Sequence, residues 1–294
     1  MLEALLIGVR MLMSVGDGVL KNASIKGELK TKGDNAMFNM LACLIAALPL
    51  SFTGGLRPIS GFTFWVSVAY GFLITCTAIV YMEAYRNGPL GLTTLIASSG
   101  MFIPTVLGVV IWNETMSVWQ IVGLVLVFLS MILILNPKKD SRITVLWVVL
   151  ALCCCLINGL TSVCQQVLSH SAYAAENQGF LMSGFLISTA MLLAAMGFFH
   201  WSGKGVITTT LFGKVGVISL TVGTFGVISH IIAMYLVERV PGSILYPVQS
   251  GGTIILVALS DAIFFRERMT RRQLVGFAVG LTAILLLANV MELV

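Results

Sequence analysis

The sequence predicts an all-α polytopic membrane protein: ten transmembrane helices arranged as two five-helix repeats of opposite orientation. Three observations carry that prediction. The composition is too apolar for water, apolar runs recur at membrane-spanning length, and the second half aligns on the first. Of 294 residues, 58% are hydrophobic and 10% charged, with mean hydropathy +1.00. A soluble domain carries about 25% charged residues, so this chain cannot cover its own surface in water. Runs near twenty residues match the ~30 Å of hydrocarbon that a helix must cross. The first sixteen residues lack a basic start and flow into the first helix, so no signal peptide is expected.

The apolar runs place helices near 4–22, 36–53, 61–83, 89–111, 117–136, 143–168, 178–199, 211–236, 242–264 and 272–291. The connections are short. "RNGP" turns helix 3 into 4 and "ERVPG" turns helix 8 into 9, with Pro and Gly supplying the turn. "NPKKDSR" (136–142) divides the chain near its middle, giving halves 1–137 and 138–294. All six cysteines (Cys43, Cys76, Cys153, Cys154, Cys155 and Cys164) lie in apolar segments without a C-x-x-C spacing. They are expected to be packing residues, with no disulfide framework and no metal site. The net charge of +5 belongs to membrane orientation rather than to nucleic acid.

A shift of 153 positions lays the first half on the second through helices 4 and 5 without a gap. Arg86 falls on Arg239, Leu92 on Leu245, Glu114 on Glu267, Met116 on Met269, Gln120 on Gln273, Val122 on Val275 and Gly123 on Gly276. Apolar matches between membrane helices mean little; charged, Gln and Gly matches in one register point to duplication. Five helices are an odd number, so the halves are expected to face opposite ways, as inverted repeats do. Within this register "PVQSGG" (247–252) falls within "TLIASSG" (94–100). Small polar residues at matching depth in both halves point to a midplane site. The glycines and serines read equally as close packing. Tyr246 and Gln249, which packing does not need, read as lining.

These features resemble a known family. Two five-helix repeats, a short helix 3–4 turn, and Glu-containing turns followed by Q-x-x-G ("NETMSVWQIVG", "RERMTRRQLVG") are similar to the EamA-like branch of the drug/metabolite transporter superfamily. The resemblance implies a basket of ten helices with a central cavity, lined by helices 1, 3, 4 and 6, 8, 9. It implies alternating access and transport of small metabolites without ATP. It leaves the substrate open. Glu114 and Glu267 match the turn motif and are expected to cap helix ends.

Charges inside hydrocarbon cost about 2.5–3.5 kcal/mol on insertion scales, so each is a site hypothesis. Arg10, Ser14, Asp17 and Lys21, spaced 4, 3 and 4 apart, share one face of helix 1. Lys21 and Glu3 are read as reaching the two interfaces. Arg10 and Asp17 either pair with each other or a neighbouring helix, or Asp17 serves a cationic substrate or a coupling proton. Helix 8 carries Gly216, Ser219, Gly223, Gly226 and His230 at packing spacing, and His230 is a second proton-coupling candidate. The expected substrate-binding set is Asp17, Tyr70, Tyr81, Ser98, Ser99, Asn158, Gln165, His230, Tyr246, Gln249 and Ser250. Trp119, Trp147 and Trp201 are expected at the interfaces.

Absences narrow the class. "GFFHWSGKG" (197–205) spaces its glycines by five residues where a phosphate loop needs four, and Gly205 stands where Ser or Thr is required. No nucleotide-binding domain, nucleophile–base set or metal cluster is evident, so neither an ATP-driven pump nor an enzyme is expected, and no cofactor. The expectation is a secondary-active or facilitative transporter of an amino acid, amine or other small solute. A lipid-linked substrate flippase or an exporter of organic cations is the alternative. Expected partners are the solute and the lipid bilayer of a bacterial plasma membrane, with no nucleic acid, in a monomer or homodimer. Fourteen of the seventeen Lys and Arg residues fall in loops 1–2, 3–4, 5–6, 7–8 and 9–10 or on the helix ends that adjoin them. The positive-inside rule therefore puts both termini outside, whereas the resemblance implies cytoplasmic termini.

Overall fold

The computed structural model describes residues 2–27, 29, 31–88, 93, 96–134, 144–203, 214–264 and 270–289. Those residues form ten α-helices, two 3-10 turns and no strand. The helices are α1 Leu2–Gly27, α2 Lys32–Phe52, α3 Gly61–Asn87, α4 Phe102–Trp112, α5 Val118–Ile134, α6 Val145–Ser169, α7 Asn177–Trp201, α8 Lys214–Val237, α9 Gly242–Phe264 and α10 Arg271–Asn289. Segments Lys32–Phe52, Gly61–Asn87, Val145–Ser169, Ala174–Trp201 and Gly216–Val237 are each long and apolar enough to cross a membrane. Ile96–Trp112 and Val118–Ile134 are apolar but shorter.

Local chemistry sets the helix ends. α2 starts earlier than its apolar run because Thr31 and Asp34 form a capping box, with 3.0 Å bonds in both directions. Expected helix 4 is less regular than its apolar run suggests. Its continuous described part begins at Ile96 and passes through a 3-10 turn at Ser99–Met101 before α4. α9, by contrast, runs unbroken through Pro247. Proline there removes only the bond to the Ser243 carbonyl, one turn back and close to the helix start, where the cost is small.

The helices gather into two compact units, each drawing on both halves of the chain. The first unit comprises Met1–Leu12, Glu83–Val163 and Arg239–Val294. It holds α4, α5, α9, α10 and most of α6. Within it α5 and α10 pack antiparallel. A Cβ on Gly123 would stand 2.9 Å from Leu287 Cγ, and one on Gly276 would stand 2.8 Å from the Ile134 nitrogen. Gly276 is Gly123 plus 153, and Leu287 is Ile134 plus 153, so the two contacts are reciprocal in the repeat register. Both helices also begin with the same cap. Gln120 Oε1 accepts from Ser117 N at 2.6 Å, and Gln273 Oε1 accepts from Thr270 N at 2.9 Å. Ser130 Oγ donates to the Gly276 carbonyl at 2.7 Å, fixing the depth of the pair.

The turn from α4 to α5 reaches a third helix. Asn113 adopts the left-handed conformation (φ 52°), which Asn tolerates at a helix end. Glu114 then places its carboxylate on the start of α9, accepting from Gly242 N at 3.1 Å and Ser243 N at 2.8 Å. Gly108 leaves the room for it, since a Cβ there would sit 2.7 Å from Glu114 Oε2. The expected capping role is therefore met on α9. Glu267, the repeat counterpart, lies outside the described residues.

The second unit comprises Met13–Met82 and Cys164–Glu238, with α2, α3, α7 and α8. Glycine contacts bring its backbones close. A Cβ on Gly71 of α3 would stand 2.6 Å from the Gly184 carbonyl oxygen and 3.0 Å from Ile187 Cβ of α7. On α8, a Cβ on Gly223 would stand 2.6 Å from the Ala42 carbonyl oxygen and 2.9 Å from Ile45 Cβ of α2. Of the seam expected on α8, Gly223 packs tightly and Ser219 is buried, while nothing lies near Gly226. The core between these helices contains Leu50, Phe180, Leu181, Phe185, Leu192 and Met234.

Candidate functional site

In the second unit, three of the expected residues meet from three helices: Tyr70 of α3, Gln165 of α6 and His230 of α8. Tyr70 is wholly buried, its ring 4.7 Å from that of Phe180. Gly184 makes the ring's seat, because a Cβ there would lie 2.6 Å from Tyr70 Cδ1. The His230 ring stands perpendicular to Tyr70 and 5.4 Å from the Phe185 ring. Tyr70 Oη lies 2.7 Å from His230 Nδ1, and Gln165 Nε2 lies 3.2 Å from the same nitrogen.

This arrangement assigns donor and acceptor roles. An amide nitrogen can only donate, so with Gln165 oriented this way Nδ1 is its acceptor. Tyr70 then donates its hydroxyl proton to Nδ1 and accepts weakly from Gln165 at 3.5 Å. Putting a proton on Nδ1 opposes two donors at once. Gln165 must then turn its carbonyl inward and the Tyr70 hydroxyl must rotate. The network thus has two discrete hydrogen-bond patterns separated by one proton.

Asp17, in the same unit, is paired along its own helix. Lys21 Nζ lies 2.7 Å from Asp17 Oδ2. In this structure its cationic partner is therefore Lys21. Tyr81 stands eleven residues beyond Tyr70 on α3, about 16 Å along the axis, and is half-buried apart from the network.

The first unit holds the other six expected residues. Arg10 of α1 is buried and donates from Nη1 to Gln249 Oε1 of α9. Asn158 Nδ2 donates to the Ala97 carbonyl at 3.0 Å, and Tyr246 Oη donates to the Ser162 carbonyl at 3.1 Å. Ser98 precedes the 3-10 turn without a capping bond from its side chain, and Ser99 begins it. Both are half-buried, as is Ser250. The nearby glycines serve packing: a Cβ on Gly251 would stand 2.9 Å from Val127 Cγ1, Gly252 faces Met11, and one on Gly159 would stand 2.6 Å from the Gly100 carbonyl oxygen.

Several features had no sequence signal. Arg10 and Gln249 are 239 positions apart, and no motif joins them. Trp147 is buried and donates from Nε1 to Thr93 Oγ1 at 2.8 Å, whereas Trp119 and Trp201 are exposed as an interfacial role requires. Thr75 and Ser188 hydroxyls meet at 3.1 Å across α3 and α7.

The apolar helices and fold define an integral membrane protein, and comparison with known proteins refines the class. One solved structure, named only as a protein crystal structure, is similar with TM-score 0.74 and 13% identity, covering 98% of this chain and 96% of that one. No curated protein matches. Residues 32–136 match the EamA-like transporter family, consistent with the drug/metabolite transporter superfamily. That family match suggests a membrane transporter of small solutes and not an enzyme.

Proposed function

We propose that this protein is a secondary-active or facilitative transporter of a small polar metabolite, an amino acid or amine. It works by alternating access between two inverted five-helix repeats, residues 1–137 and 138–294. His230 is the proton-coupling group. The reciprocal Gly123–Leu287 and Gly276–Ile134 contacts of α5 and α10 support the inverted arrangement. The observation that carries the coupling is the Tyr70–His230–Gln165 network, in which Tyr70 and Gln165 are buried and His230 half-buried, set among Phe180 and Phe185. A titratable ring held in an apolar membrane core is rare unless it functions. A one-proton change reverses its hydrogen bonds and so biases one conformation over another.

Purified protein is screened for thermal stabilisation by amino acids, amines, nucleosides and quaternary ammonium compounds, since a ligand of the native state raises stability by mass action. Hits are followed by uptake into liposomes with and without a proton gradient. The expected result is uptake that a gradient accelerates, with the acceleration lost in His230→Gln. Uptake indifferent to the gradient would leave a facilitator and remove the coupling role.

A further inference from the structure

The second unit carries an open groove of about 440 Å³ between the α2–α3 loop and the turn that starts α7. Its walls include Thr53, Arg57, Pro58, Ile59, Glu176 and Gln178. None of the Tyr70–His230–Gln165 residues lines it. Glycines seat the loop on α7: a Cβ on Gly55 would stand 2.7 Å from Met182 Sδ, and one on Gly179 would meet Ile59 Cγ2. Gly54 makes the bend at φ 112°, and its carbonyl accepts from Arg57 N at 3.1 Å. Two opposite charges share this groove without pairing. Among the described residues the exposed Arg57 guanidinium makes no hydrogen bond or ion pair, and Glu176 Oε2 takes its bonds from Ser60 N and Oγ. Gln178 Oε1 accepts from Thr53 Oγ1 at 3.0 Å, which leaves Nε2 a donor without a partner among the described residues. Exposed aromatic and apolar side chains surround this end of the unit. Phe52 and Leu56 are 90% and 72% exposed, and Trp65, early on α3, is 70% exposed. Tyr173, before α7, stacks on Phe62 at 5.7 Å. Trp and Tyr at helix ends belong to the depth of the lipid headgroups, and side chains so apolar and so exposed mark a surface that meets lipid rather than water.

We propose that this groove binds the headgroup of a zwitterionic aminophospholipid, with its phosphate on Arg57 and its ammonium on Glu176. The guanidinium fork matches two phosphate oxygens, and Gln178 Nε2 supplies a further donor. A carboxylate has about four acceptor positions, so Glu176 keeps room for an ammonium N–H beside its Ser60 bonds. A glycerol headgroup has no cation for Glu176, and its net negative charge meets the carboxylate. A choline headgroup has no N–H to donate and is held through aromatic faces, which the groove walls lack. The acyl chains leave past Phe52 and Leu56. Binding here is independent of which solute is transported.

The test uses the full chain, purified and reconstituted in nanodiscs of phosphatidylcholine alone, or with phosphatidylethanolamine or phosphatidylglycerol as a minor component. The protein is released into mild detergent, and the lipid it retains is counted by native mass spectrometry. The native protein is expected to retain phosphatidylethanolamine well above its share of the bilayer, and to melt higher with it than in phosphatidylcholine alone. Arg57→Ala is expected to cut that retention roughly tenfold, as loss of a charge-assisted contact does, with Arg57→Lys between the two. Glu176→Gln keeps an acceptor for Ser60 and is expected to retain phosphatidylethanolamine and phosphatidylcholine alike. Arg271→Ala, an exposed cation of the other unit, is the control and is expected to behave as native. Retention in proportion to the bilayer, a preference for phosphatidylglycerol, native retention in Arg57→Ala, or an equal loss in Arg271→Ala overturns the site. Soluble phosphoethanolamine that stabilises as well as the lipid would mean a ligand from water, and overturns it too.

Discussion

Glu114 and Ser243 are 129 residues apart in sequence, and the carboxylate of one holds the backbone nitrogen of the other at 2.8 Å. The bond joins the α4–α5 turn of the first half to the start of α9 in the second. It satisfies donors that α9 itself cannot satisfy and places negative charge at the positive end of the helix dipole. Glu114→Ala is expected to lower unfolding stability by about 1–2 kcal/mol, and Glu114→Gln by less, because an acceptor remains. Equal losses in chemical denaturation would show that charge, not hydrogen bonding, is what matters.

Tyr70→Phe removes the hydroxyl that reads His230 and keeps the ring against Phe180. The variant is expected to fold, to lose about 1–2 kcal/mol, and to show weaker stimulation of uptake by a proton gradient. Native stimulation in Tyr70→Phe, measured in the same liposomes, would limit the coupling unit to Gln165 and His230.

The Arg10–Gln249 bond is a charge-assisted one inside the membrane. Gln249→Leu is expected to destabilise by about 1.5–3 kcal/mol, because it withdraws an acceptor from a buried cation. Adding Arg10→Met is expected to recover much of the loss, since exchanging both partners for apolar groups is far milder than removing one. A double-mutant cycle with no coupling energy would reject the bond.

Gly71 and Gly223 make matching close approaches, so Gly71→Ala and Gly223→Ala are each expected to cost about 1–3 kcal/mol through overpacking. Gly226, with nothing within 4 Å of a Cβ, is the control. Gly226→Ala is expected to be neutral or to stabilise by up to about 1 kcal/mol, from helix propensity alone. A penalty at Gly226 equal to that at Gly223 would indicate a general intolerance of α8 rather than the Gly223 contact.

Glu176, in the turn before α7, accepts from Ser60 N at 2.9 Å and Ser60 Oγ at 3.0 Å. Hydrogen bonds from the Thr63 side chain and from Ser60 hold its carboxyl below the usual carboxylate range. A carboxyl depressed in the folded state contributes stability that is full above its unfolded value, near 4.5, and lost as pH falls through the folded value. The native protein is therefore expected to lose more stability below pH about 4.5 than Glu176→Gln does. Parallel melting curves from pH 7 to 3 for the two proteins would remove this link.

The helices were legible because each apolar run carries its own signal. The expected span 242–264 coincides with α9, and the span 61–83 falls inside α3. Tyr70, Gln165 and His230 were legible as polar residues in oil, which is costly wherever it occurs. Their meeting was not, because spacing along one helix says which face a residue occupies and nothing of the helix opposite. Arg10 shows the same limit: its stripe on α1 left Asp17 and a neighbouring helix both open as partners, and the partner came from α9. Pro247 leaves the expected span 242–264 unbroken, because near a helix start most of what proline removes is already absent. The irregular turn fell instead at Ser99–Met101, where i→i+3 bonding depends on local fit that residue types alone do not encode.

The interleaving of the halves also has a consequence for biogenesis. α5 leaves the ribosome long before α10, the helix on which its glycine closes. At about 5–20 residues per second, the wait is roughly 8–30 s. During that time Gly123 and Ser130 face lipid or the insertion machinery. Early helices of this chain are thus transient clients of whatever shelters unpaired segments at the membrane, and slow translation of the second half prolongs their exposure.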